Sequence, residues 1–230
     1  MATKDSKLTT DRRRFLGTIA SGAAAVGLAS LPSINLHAED IAGNDDDADA
    51  WFNKVKGKHR IVFDVTKPNG MMPFAWPRVF IMTNAATGTP EKDSGVVVIM
   101  RHDGIPYAFE DRIWSKYNLG EVFKVTDEST KKGLTKNPFW KPAPGTYKVP
   151  GIGPVQIGIN ELQDSGVMFC VCNAAMTVYS AVVADMMKMQ ASNVYNDWKS
   201  GLLPGVQVVP SGVWAVGRAQ EHGCHYCYAG

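Results

Sequence analysis

Cysteine, histidine and long apolar runs are all scarce in this sequence, and each scarcity excludes something. There are four cysteines and five histidines among 230 residues. The mild apolar stretch near the start, Thr18 to Leu31, holds 14 residues rich in Ala, Gly and Ser, short of the ~20 that span a bilayer as a helix. It is too short for a stable membrane anchor. A basic excess is also missing, because residues 1–38 carry five of the 24 Lys and Arg and only two of the 22 Asp and Glu, leaving 19 basic against 20 acidic residues. That balance argues against a nucleic-acid or anionic-membrane surface. The acidic run Asn44 to Asp49 lacks the glycine and closing glutamate of a calcium loop. Tyr228 follows Cys227 where a c-type haem attachment motif has histidine. No internal repeat is visible.

What is present begins with a targeting pattern. A charged start runs through Arg12-Arg13-Arg14 into Phe15-Leu16 and then the short apolar stretch, the order of an export signal. The string resembles the twin-arginine pattern, with Asp11 and Gly17 departing from its commoner flanks. Residues 1–38 therefore read as a twin-arginine signal peptide, with cleavage after Ala38 and a second candidate at Ala42. The expected partner during export is the twin-arginine translocase, and the expected location is the periplasm. Residues 39–58 read as a solvated acidic linker, and 59–230 as the working domain.

Within that domain five short apolar runs have strand character: Arg60 to Val65, Gly95 to Met100, Val167 to Cys172, Val206 to Val209 and Cys224 to Tyr228. Helical spacing over Asn173 to Gln190 sets Met176, Tyr179, Val183, Met186 and Met187 on one side. Ser211 to His222 does the same for Val213, Val216 and Ala219. Ser211 is placed to cap that second helix and Gly223 to end it. Strands apolar throughout and separated by helices predict a three-layer α/β/α sandwich with a mostly parallel sheet of about five strands. Residues 119–154 are rich in Gly, Pro and Lys and have no clear period. Asn137-Pro138-Phe139-Trp140 within them reads either as a lid over a site or as an insertion packed by its own aromatics.

Sites in parallel sheets form at the carboxyl ends of strands. One such end reads Arg101-His102-Asp103-Gly104, and another is Cys172, where a helix begins. A cysteine at a helix N-terminus near basic side chains is expected to favour thiolate, so Cys172, Arg101 and His102 are the candidate reactive residues, with Cys170 directed to the same face but part of the core. The tail offers a competing site. His222, Cys224, His225 and Cys227 are candidate ligands for a metal ion of unspecified identity, although a regular strand spreads them. A dithiol pair or a central strand with buried cysteines are the other readings. Disulfides are also compatible with an exported chain, and their pairing is not readable from sequence.

Three stretches together resemble the DsrE/DsrF-like family of sulfur-relay proteins: Gly166 through Cys172 to Ala175, Gly95 to His102, and Pro210 to Gly223 followed by Cys224 to Tyr228. The likeness spans about residues 59–230. It implies an α/β sandwich, frequent homo-oligomers, and a cysteine that carries sulfur as a persulfide, which by position is Cys172. The implied partners are small reduced-sulfur species or a partner thiol protein, with no cofactor required. The expectation is thus an exported thiol protein that binds or relays reduced sulfur, a carrier rather than a turnover enzyme. The alternatives are a metal- or cofactor-binding module using the tail and a non-catalytic partner-binding domain.

Overall fold

The computed structural model describes residues 48–230. The expected signal peptide, both cleavage candidates and the acidic run before Ala48 lie outside the described residues. A short helix α1 (Ala48–Trp51) continues into a 3₁₀ turn, Phe52–Lys54. Trp51, Phe52 and Val55 are buried, which corrects the solvated linker expected up to residue 58: from Ala48 onward the chain already packs on the domain, because two large aromatics in sequence are costly to leave in water.

The remaining elements follow as β1 (His59–Val65), α2 (Met72–Ala86), β2 (Ser94–Met100), a 3₁₀ segment His102–Ala108, α3 (Asp111–Lys116), α4 (Leu119–Val122), the small hairpin β3 (Lys148–Val149) and β4 (Gly153–Pro154), α5 (Ile159–Asp164), β5 (Met168–Cys172), α6 (Asn173–Met187), α7 (Ala191–Ser200), β6 (Val206–Val209), α8 (Gly212–Glu221) and β7 (His225–Tyr228). The main sheet has five strands in the order β6-β5-β2-β1-β7, and every pairing in it is parallel. This is the expected α/β/α sandwich.

The two faces of the sheet are covered unequally, for a topological reason. The crossovers from β1 to β2, β2 to β5 and β5 to β6 all step in one direction along the sheet, so right-handed connections put their helices on one face. The step from β6 to β7 runs the other way, which places α8 on the opposite face. The packing agrees. Phe63, Val65, Val98, Met100, Phe169 and Val171 meet α2, α5, α6 and α7 in the larger core, whereas Val62, Val97, Ile99, Cys170 and Val209 meet α1 and α8 in the smaller one.

The helix faces differ from the expected ones in detail. Met176 and Val183 of α6 are buried, but Met186 and Met187 are exposed because the last turn projects past the core. That helix stops at Met187 and not at Gln190, closed by Lys188 in the left-handed region and by bonds from the Lys188 and Met189 amides to Asp185 and Ala184. In α8 the buried stripe is Gly212, Ala215 and Ala219, while Val213 faces solvent. Ser211 caps α8 as expected, its hydroxyl accepting from the Trp214 amide at 3.3 Å.

Within segment 119–154, Phe139 is packed into the core. Phe139 is 3 % exposed and sits against Phe74, Tyr107 and Tyr147 with ring centroids 4.4, 5.4 and 5.1 Å away. Asn137 fixes this packing: its side-chain amide donates to the Tyr107 and Phe109 carbonyls at 2.9 Å, and its oxygen accepts from the Phe139 amide at 3.0 Å.

Candidate functional site

Parallel registry brings the carboxyl ends of all five strands to one edge of the sheet, where Val65 pairs with Met100, Met100 with Val171, Cys172 with Val209, and Asp64 with Tyr228. Cys172 is the N-cap of α6, and its Sγ accepts from the Ala175 amide at 3.3 Å. The Gly212 amide at the start of α8 also points to this sulfur. Two helix N-termini therefore converge on one thiol. Cys170, expected on the same face, instead packs in the smaller core while Cys172 joins the larger one. Cys172 still has the extended backbone of β5, with φ of −73° and ψ of 111°, and α6 starts at the residue after it.

Arg101 and Cys172 act on each other electrostatically. The net effect on the thiol is nevertheless the reverse of the expected activation. Burial pushes the Cys172 thiol up, and this outweighs the downward pull of the Ala175 and Gly212 amides and of Arg101. The two amides and Arg101 are in place, but Cys172 is only 6 % exposed, and removing a charge from water costs more than they return.

Asp64 is the member of this site that inspection of strand ends does not find. It is 1 % exposed and pairs bidentately with Arg101, Nε to Oδ1 at 2.7 Å and Nη2 to Oδ2 at 2.8 Å. The Tyr226 hydroxyl donates to Oδ2 at 2.9 Å. The signal for it was an acid inside the otherwise apolar strand Ile61 to Val65, since a buried carboxylate needs a cationic partner.

His102, the third candidate, points elsewhere. It adopts a left-handed φ of 49°, and its Nδ1 lies 3.1 Å from Asp103 Oδ1 and 3.4 Å from the Tyr179 hydroxyl; that hydroxyl also donates to Asp103. The hydrogen bond to Asp103 raises the His102 pKa above its ordinary value, against the opposing effect of burial. This is a half-exposed polar cluster beside the thiol site.

No family model matches the sequence, and no curated protein matches it. Among solved structures it is similar to a protein of unknown function, MTH1491 from Methanobacterium thermoautotrophicum, with 17% identity and a TM-score of 0.39, over 74% of this chain and 99% of that one.

The tail does not gather a metal set. His222 stacks on Phe52 at 6.0 Å, and Cys224 is buried in the smaller core, its thiol pushed up to about 11 by burial. His225 is exposed, and Cys227 packs against the larger core. Strand alternation thus puts the two cysteines on opposite faces. Among the described residues no group of three or more His, Cys, Asp or Glu is placed to hold a metal ion, and all four cysteines are free. The tail strand is also not central: β7 is an edge, and Tyr226 and Tyr228 are 48% and 53% exposed.

Proposed function

We propose that the chain is an exported carrier that binds or relays reduced sulfur at Cys172, in the manner of DsrE/DsrF-like proteins. The observation that supports it is the convergence of the α6 and α8 N-termini on the Cys172 sulfur, with Arg101 beside it. Burial keeps the resting thiol protonated. A persulfide is more acidic than its parent thiol, so the same amides and guanidinium favour the loaded, anionic form. Loading from inorganic polysulfide balances simply: the thiol loses its proton to solvent, the thiolate attacks a terminal sulfur, one S–S bond forms and another breaks, and a polysulfide one sulfur shorter leaves with the electron pair. Reduced protein treated with polysulfide is expected to gain the mass of one sulfur atom on the Cys172 peptide, and Cys172→Ser to lose that gain. Uptake undiminished in Cys172→Ser, or found on Cys227 instead, would end this reading.

Periplasmic location rests on the sequence signal. Changing Arg12→Lys together with Arg13→Lys is expected to hold the precursor in the cytoplasm, because lysine lacks the planar guanidinium. Fractionation decides it: processed protein in the periplasm at undiminished level refutes twin-arginine export.

A further inference from the structure

Arg101 is held from two sides. On one side lies Gly212, whose amide points at the Cys172 sulfur and whose missing side chain leaves room for Arg101: a Cβ there would lie 2.4 Å from Arg101 Cβ. On the other side Asp64 takes one edge of the guanidinium through Nε and Nη2. A guanidinium carries five N–H groups in a rigid fork. With two committed to Asp64, both on Nη1 and one on Nη2 remain.

We propose that Asp64, supported by Tyr226, is the positioning residue of this site: it grips one edge of Arg101 so that the other N–H groups are presented to an anion at the Cys172 sulfur. The proposal rests on the reading of Cys172 as the sulfur-bearing residue. It differs sharply from a role in charge balance alone. A carboxylate beside Arg101 weakens that cation's pull on Cys172, so if charge were all, removing Asp64 would make the thiol more acidic. If position matters more, removing it makes the thiol less acidic. The ionisable group acting on the thiol is Arg101 at the end of β2, with Asp64 and Tyr226 behind it, while Cys170 in the same strand is itself acted on by Cys172.

The test is the pH profile of iodoacetamide labelling at Cys172, read by peptide mass in reduced full-length protein. Asp64→Asn, Arg101→Met, the pair of them and Tyr226→Phe are compared with the parent. Asp64→Asn is expected to move the midpoint upward and slow labelling at neutral pH by about three- to tenfold, since only thiolate reacts and a whole pKa unit is tenfold. Arg101→Met should do the same and the pair no more, because both act through one group. Tyr226→Phe should shift the profile in the same direction by less. A downward midpoint in Asp64→Asn, an unchanged one, additive effects in the pair, or no labelling at any pH overturns the proposal. If Asp64→Asn does not fold, Tyr226→Phe decides: an upward shift supports positioning and no shift refutes it. Sulfur uptake from polysulfide is scored separately, so shifts seen in a protein that takes up no sulfur sink the carrier reading and leave the positioning intact.

Discussion

Phe139→Ala is expected to lower the melting temperature by roughly 8–15 °C. The ring is 3 % exposed among Phe74, Tyr107 and Tyr147, and truncating such a residue typically costs about 3–5 kcal/mol in lost contact and residual cavity. For a domain of this size each kcal/mol moves the midpoint by about 2–4 °C. The measurement bears on the whole 119–154 segment, since Asn137 ties Phe139 to the Tyr107 and Phe109 carbonyls. An aromatic lid over a site could be truncated at little thermal cost. A midpoint lowered by less than about 2 °C would therefore return Phe139 to that role.

Removing residues 225–230 should be comparably damaging, although not because aromatics are lost from a core. The strand pairs with β1 from Ile61 to Asp64. Beyond it the Ala229 amide donates to the Asp64 carbonyl at 3.0 Å, and the Gly230 carbonyl accepts from the Thr66 and Lys67 amides at 2.6 and 3.1 Å. At about 1 kcal/mol net for each hydrogen bond, the loss is roughly 4–6 kcal/mol, a large part of the roughly 5–15 that holds a domain together. The truncated chain is expected to melt at least about 10 °C lower. Tyr226→Ala alone should cost only about 1–2 kcal/mol, well under the 3–5 of a fully buried ring, because the side chain is 48% exposed. Circular dichroism melts of the two variants separate backbone pairing from side-chain burial. Equal losses in both, or a truncated chain that melts like the parent, would contradict the edge-strand account.

The five strands were legible because each is a short run dominated by β-branched and apolar residues, as a parallel sheet with helices on both faces requires. Cys172 at a strand end, and Ser211 and Gly223 at the ends of α8, were legible from residue type. Helix α2 was not, since Pro73 and Pro77 lie within it and exposed Trp76, Val79 and Met82 face away from buried Phe74 and Ile81, leaving no clean apolar stripe. Strand order was hidden as well. Cys224 to Tyr228 reads as buried on both sides, and only the pairing of β7 with the outer side of β1 makes it an edge. The acidity of Cys172 was misjudged for a related reason: helix start and basic neighbours are local, whereas the burial that outweighs them comes from elements distant in sequence.

The pairing of the first strand with the last has a kinetic consequence. Tyr226 meets Asp64 across 162 residues, and every other strand leaves the ribosome before β7 does. Loop closure of that span must precede any reward from the contact, so the nascent chain cannot complete its sheet until synthesis of the domain is over. Until then β1 has an open edge, and the Asp64 carboxylate lacks its tyrosine. The last step of this domain's folding therefore closes the sheet and gives Asp64 its tyrosine together.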